Sequence, residues 1–347
     1  MKTQPTTEMT NSADEVRRIV RRAEKALIIA HIAPDGDTVG SALGLAWALR
    51  GWGLDVRLSC ADPIPNELRF LPGSAEFAPR PPMDEDVIFV IDASDIERIG
   101  SLYDADAFGR VPVINIDHHV TNIRYGDLNL VVDKAATAEI IFDLLKAWDV
   151  EVDERIGTCL LTGIVTDTQG FRTSNTTPDL MRTSVQLMEA GAPLSQIMDL
   201  AFNRRSTSVL RLWGAALTNA QIADGIVWSE ITQALLRSTG VTDAAGKGLV
   251  NFLSTLDGPL VAVLFREAAD GRIDVSFRSV PGVDISGVAF SFGGGGHPQA
   301  AGCVISGPLP EVRERVLNAV REAIAMQRGN HAPDRNAPAT AAGVPLS

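Results

Sequence analysis

Between residues 26 and 190, short continuous apolar runs alternate with stretches whose apolar positions recur at helical spacing. The runs Ala26–His31, Asp55–Ser59, Val87–Ile91 and Val111–Ile116 have the length and composition of strands buried on both faces. Helical periodicity covers Thr38–Arg50, Thr137–Trp148, Glu154–Thr166 and Pro178–Ala190. That alternation predicts an α/β fold, a mostly parallel sheet covered by helices. Asn66–Asp86 is proline-rich and reads as an irregular surface connection. Gly191-Ala192-Pro193 breaks the pattern, and residues 195–220 read as a connecting helical stretch. Beyond it lie strand candidates at Ile226–Ser229, Leu260–Arg266 and Ile273–Arg278. Helix candidates follow at Gly246–Leu256, Ile285–Ser291 and Leu309–Met326. Fewer, longer, glycine-separated strands predict a smaller mixed-sheet α/β domain. The expected organisation is a first domain over 13–190, a linker over 191–205 and a second domain over 206–328. An Ala/Pro-rich disordered tail is expected over 329–347.

A chain of 347 residues exceeds the usual size of one hydrophobic core, in keeping with two domains. Its three cysteines, Cys60, Cys159 and Cys303, are far apart and form no C-x-x-C pair. They point to a reducing cytoplasm, not to a disulfide framework or a zinc site. The polar N-terminus has no apolar signal core, and no apolar run approaches the roughly 20 residues needed to span a bilayer. The net charge of −12 changes the picture most. Long nucleic acids are held through many neutralised phosphates, so an extended track is disfavoured. A small anionic substrate, gripped by bound metal and a few arginines, fits better.

Four of the five histidines fall in three short motifs: His31 to Asp37 (H-I-A-P-D-G-D), Asp117-His118-His119, and Gly293 to His297 (G-G-G-G-H). The first two follow predicted strands, and in an open α/β sheet sites are built at the carboxyl ends of strands. Imidazole with carboxylates suits manganese, iron or zinc better than calcium. An isolated D-G-D is commonly an Asx turn capping a helix, but the strand and histidine before it favour a ligand cluster of His31, Asp35 and Asp37. Asp92 closes the run Val87–Ile91, where a buried carboxylate needs a partner. Of His118 and His119, which point in different directions, at most one is expected as a direct ligand. Asp167, by spacing alone, is a helix-end residue. The glycine run is a candidate anion nest, and Arg278-Ser279, ending a strand, supplies the cation beside it.

These motifs resemble the DHH phosphoesterase superfamily. The resemblance is carried by H-x-x-P-D-G-D-x-x-G-S at His31–Ser41, by Asp92, and by D-H-H at 117–119. It extends to Asp167 with F-R-x-S-N-T at Phe171–Thr176, and to G-G-G-H-x-x-A-A-G at Gly294–Gly302. It spans about Arg18 to Met326, and the compact length is similar to the nanoRNase/pAp phosphatase branch. It implies two manganese ions. His31 and Asp35 hold one, Asp37, His118 and Asp167 the other, and Asp92 bridges both. Asp117 and His119 give catalytic acid/base support. Arg278, Ser279, Gly294, Gly295, Gly296 and His297 grip substrate phosphate from a DHH-associated domain that closes over the cleft. Gln169 departs from relatives, which often carry glycine there. The resemblance implies hydrolysis of very short RNA and of pAp by a homodimer. The rival enzyme is a cyclic di-AMP or pApA phosphodiesterase. A pyrophosphatase or a RecJ-like exonuclease fits less well, and a non-catalytic nucleotide scaffold is the reading from another class.

Overall fold

The computed structural model describes residues 7–203, 206–241 and 248–330. The chain divides into two compact units at residues 204/205. The first unit contains, in order, α1 (Thr7–Val20), β1 (Lys25–Ala30), α2 (Gly36–Gly51), β2 (Asp55–Ser59), β3 (Val87–Ile91) and α3 (Ala105–Phe108). It continues with β4 (Val113–Asp117), β5 (Leu128–Val131), α4 (Thr137–Ala147), α5 (Glu154–Asp167), α6 (Pro178–Glu189) and α7 (Leu194–Met198). Its five strands are all parallel, in the order β2-β1-β3-β4-β5. Alternate residues of β1 explain the unbroken apolar run. Ala26, Ile28 and Ala30 pack into one core, while Leu27 and Ile29 pack into another on the opposite face.

The sequence pattern located four of these strands within two residues. It missed β5, a four-residue edge strand with one fully buried position, and α1, whose register buries Ala13, Val16 and Val20. The segment 66–86 is irregular, with single 3-10 turns at Asn66–Leu68 and Ser74–Glu76. The expected linker folds, as far as Asn203, into α7 and one π-helical turn, and Ile197 is buried in the first core.

The second unit holds α8 (Thr207–Thr218), β6 (Gln221–Ala223), β7 (Ile226–Ile231), α9 (Gln233–Thr239), α10 (Leu249–Leu253) and β8 (Val261–Glu267). It ends with β9 (Arg272–Ser279), α11 (Ser286–Ser291), β10 (Gly295–His297), β11 (Ala300–Ser306) and α12 (Leu309–Asn330). The sheet order is β10-β11-β9-β8-β7-β6, with only the β7–β8 pair parallel. The sheet is mixed, as expected, but it has six strands and not fewer than the first. The additional strands β6, β10 and β11 are short or rich in glycine and alanine, so they lack the β-branched runs that signal a strand. The expected helix start at 246–247 lies outside the described residues. So does the expected tail from residue 331 onward; its first two positions, Gly329 and Asn330, continue α12.

Candidate metal centre and phosphate grip

In the strand order 2-1-3-4-5 the chain reverses its lateral direction between β1 and β3, and crevices for ligands form at such points. His31 is the first residue beyond β1, Asp92 the first beyond β3, and Asp117 the last of β4. Asp35 caps α2, accepting the N–H groups of Asp37 and Thr38 at 3.1 Å each. Asp37 is buried, and its two oxygens accept the N–H groups of Thr137 (2.6 Å) and Ala138 (3.0 Å) at the start of α4. Asp167 ends α5. Thus four stretches far apart in sequence meet.

Two of the three histidines, His31 and His118, are oriented by the same device. His31 Nδ1 lies 2.6 Å from the Ile32 carbonyl, and His118 Nδ1 lies 3.1 Å from the Lys134 carbonyl. Each therefore donates from Nδ1 and turns an Nε2 lone pair inward, the arrangement of a metal-binding imidazole. His31 Nε2 is buried without a hydrogen-bond partner, 3.4 Å from Asp92 Oδ2 and 3.7 Å from Asp35 Oδ2. His118 Nε2 stands 3.6 Å from Asp92 Oδ1 and 3.3 Å from Asp167 Oδ2. Lone pairs facing carboxylates repel each other unless a cation lies between them. Donor atoms of His31, Asp35 and Asp92 lie within 4.8 Å of one another, as do those of Asp37, His118 and Asp167. A mixed imidazole–carboxylate set of this kind fits a divalent transition metal.

The electrostatics agree. Burial, then the charge of Asp92, pushes the Asp37 carboxyl up to about 7. Burial, then Asp37, raises Asp167 well above the carboxylate range. Burial alone would lower the His118 ring, but Asp92, Asp167 and Asp37 hold it up at about 9. The cluster draws positive charge from whatever source offers it.

His119 differs. Its Nδ1 bonds Asp117 Oδ1 at 2.7 Å, which leaves its Nε2 as the working atom. Asp117 Oδ1 also accepts the N–H groups of His118 (2.8 Å) and His119 (3.3 Å), and Oδ2 accepts from Asn122 Nδ2 at 2.6 Å. Donor atoms of Asp92, Asp117, His118 and His119 are also close enough to share an ion. Asp117, however, has its oxygens committed to these four donors, which suits an orienting carboxylate better than a ligand. The two rings lie 4.4 Å apart, tilted by 57°.

In the second unit, antiparallel pairing aligns Ala262, Arg278, Ala300 and His297 across four strands, on one face of the sheet. The neighbouring positions on that face include Gly302 and Gly295. A Cβ on Gly295 would meet open space, whereas one on Gly294 or Gly296 would overlap the β11 backbone. The result is a floor poor in side chains, with Arg278 and His297 about two strand spacings apart, roughly 9–10 Å. The glycine run is not a nest ahead of a helix. Gly293 and Gly294 donate their N–H groups to Phe290 and Ala289 of α11, and Gly295–His297 form an edge strand. Ser279 differs too: its hydroxyl donates to the Val283 carbonyl at 2.5 Å, and strand alternation turns it to the face opposite Arg278.

A model of the DHH family N-terminal domain matches residues 25–164, and one of the DHHA1 domain matches 229–326. A bifunctional oligoribonuclease and PAP phosphatase NrnA of Thermus thermophilus is 37% identical over 315 residues, 88% of this chain and 93% of that protein. The chain belongs to the DHH family. The Bacillus subtilis protein of the same name is 28% identical over 298 residues, 84% of this chain and 92% of its own length. The fold is shared with an exopolyphosphatase-related protein from Bacteroides fragilis, at a TM-score of 0.86 and 24% identity, covering 94% of this chain and 99% of that one. This DHH-family chain is therefore a phosphoester hydrolase.

Several residues around this candidate site were not singled out from the sequence. Thr38 Oγ1 bonds the Ile91 carbonyl and accepts the His31 N–H, tying β1 to β3 behind the ligands. Thr137 Oγ1 donates to Asp92 Oδ1 at 2.9 Å. Asn122 reaches Asp117 and Asn115 together. The small-residue run Ala135-Ala136-Thr137-Ala138 was the available sign of a close approach. Gln169 has φ of +50°, a left-handed conformation that favours glycine.

Proposed function

We propose that this protein hydrolyses very short RNA oligonucleotides and pAp, using two manganese ions, in the cytoplasm and as a homodimer. One observation carries the reading: two imidazole–carboxylate sets meet around Asp92, and His31 Nε2 is buried with no hydrogen-bond partner. His31 and Asp35 would hold one ion, Asp37, His118 and Asp167 the other, and Asp92 both. Two bound divalent ions supply Lewis-acid polarisation, activation of water and charge neutralisation at the phosphoryl group. His119, held through Nδ1 by Asp117, offers Nε2 to move a proton at the substrate. Arg278, His297 and the floor around Gly294, Gly295 and Gly296 would hold the substrate phosphate. Ser279 would brace the turn at 280–283 beneath them.

The choice of substrate is supported by the names of the relatives and by the charge of −12, which disfavours long nucleic acid. Three buried free cysteines suit a reducing compartment, and among the described residues no helix is long and apolar enough to cross a membrane. Dimerisation rests on family resemblance. The test is a panel of short RNAs, pAp, pApA, cyclic di-AMP and pyrophosphate with manganese, alongside the metal content of dialysed protein. Short RNA and pAp should be turned over fastest. Preference for cyclic di-AMP or pyrophosphate would transfer the assignment to those activities. Protein with neither bound metal nor turnover would be a scaffold.

A further inference from the structure

Four arginines of the second unit meet carboxylates: Arg266 with Asp274, Arg272 with Asp270, Arg313 with Glu230 and Arg321 with Asp224. Arg278 does not. Among the described residues it has no ion-pair partner. Instead its Nε–H donates to the side-chain oxygen of Asn251 at 2.7 Å, and Nη1 donates to its neighbour's carbonyl, Phe277 O, at 2.8 Å. Asn251 lies on α10, whose Leu249, Val250 and Leu253 share a core with Ala262, the cross-strand partner of Arg278.

A guanidinium has five N–H donors and two edges able to bind an anion with paired bonds, Nε/Nη2 and Nη1/Nη2. Asn251 closes the first edge. Phe277 O takes one Nη1 hydrogen, which leaves both hydrogens of Nη2 and one of Nη1. The acceptor is a neutral amide, so the side chain is fixed while its positive charge stays uncancelled. A carboxylate in the same place would hold the guanidinium equally well but neutralise it. Beside it, Ala300 separates Arg278 from His297 without filling the space between them.

We propose that Asn251 is a positioning residue for substrate binding, presenting the Nη1/Nη2 edge of Arg278 to a terminal phosphate monoester. The inference rests on the reading of Arg278 as a phosphate contact. The test compares the full-length manganese-loaded protein with Asn251→Ala, Asn251→Asp and Arg278→Ala. AMP binding is measured by calorimetry, pAp turnover by steady-state kinetics, and bound metal by elemental analysis. Asn251→Ala should weaken AMP binding and raise KM about 3- to 10-fold, with kcat within about twofold, as loss of one orienting hydrogen bond implies. Asn251→Asp should bind AMP more weakly still, with metal content unchanged in both.

AMP affinity at the wild-type level in either Asn251 variant would overturn the inference. So would a loss of kcat and metal at constant affinity. Should Asn251→Ala fail to fold, the near-isosteric Asn251→Asp carries the test by itself, because a merely structural role would leave its affinity intact. If Arg278→Ala also binds AMP normally, the phosphate grip itself is wrong. If Arg278→Ala is weakened while the Asn251 variants are not, only the role of Asn251 falls.

Discussion

Asp92 has φ of +60°, a conformation costly for a residue with a Cβ, by about 1–3 kcal/mol. Its oxygens lie between His31 and His118 and take the Thr137 hydroxyl bond. A strained residue at the meeting point of two ligand sets is expected to be functional. Asp92→Ala should abolish turnover at saturating manganese and lower the number of ions bound. His119→Ala should retain both ions and slow turnover about 10- to 100-fold, the usual effect of losing a supporting partner. An active Asp92→Ala protein holding two ions would remove the bridge from the scheme. On the second unit, Arg278→Ala and His297→Ala should leave metal stoichiometry intact. Loss of a charge-assisted phosphate contact should lower kcat/KM by about 1.5–3 kcal/mol. Metal loss in either variant would mean that the second unit contributes ligands. The three histidines and the aspartates at 35, 37, 92 and 117 stand out because they follow apolar runs, whereas Asp167 reads by spacing as a helix end and enters only through the family resemblance. Asn122, Thr137 and Asn251 do not stand out, because what marks them is a partner distant in the chain.

At the scale of elements, the helices that position the ligands approach unusually closely. Gly36, Gly40 and Gly44 form one stripe of α2, and a Cβ on them would overlap Thr166, the Cys159 carbonyl and Leu160 of α5. Opposite them, a Cβ on Gly163 would come within 2.7 Å of Asp37 Oδ1. Gly40→Ala should therefore push α5 from α2 and destabilise the first unit by about 1–3 kcal/mol, as overpacking does. Urea unfolding of the full chain measures this directly, and an unchanged midpoint would show that the helices can separate freely. The glycine spacing at 36, 40 and 44 is local to α2; the element it approaches is not. The same division holds elsewhere. Strands buried on both faces announce themselves as apolar runs, whereas β10 and β11 are defined by pairing, and no local pattern in Gly295–His297 distinguishes an edge strand from a loop.

For the whole molecule, the proposed metal ligands lie in one compact unit and the proposed phosphate contacts in the other. With a net charge of −12 and the proposed phosphate contact centred on Arg278, few phosphates of a substrate would be neutralised. Turnover should therefore be highest on oligonucleotides of roughly two to five units, with a shallow dependence on salt. Initial rates on 2-, 5- and 24-nucleotide RNAs at two salt concentrations test this. Efficient degradation of the longest RNA with a steep salt slope would reveal an extended basic track. The scatter of the ligands along the chain has a further consequence. His31, Asp92, His118 and Asp167 come together only when the first sheet is complete, so the unfolded chain offers manganese no equivalent site. On the proposed reading a bound ion would act as a folding ligand, adding about 2.7 kcal/mol of stability at a hundredfold excess over its Kd. The thermal midpoint should climb with the logarithm of manganese concentration, and a midpoint indifferent to the ion would break that linkage. If that linkage holds, a cell starved of the metal would lose the enzyme twice, first as a catalyst and then as a folded protein open to proteolysis.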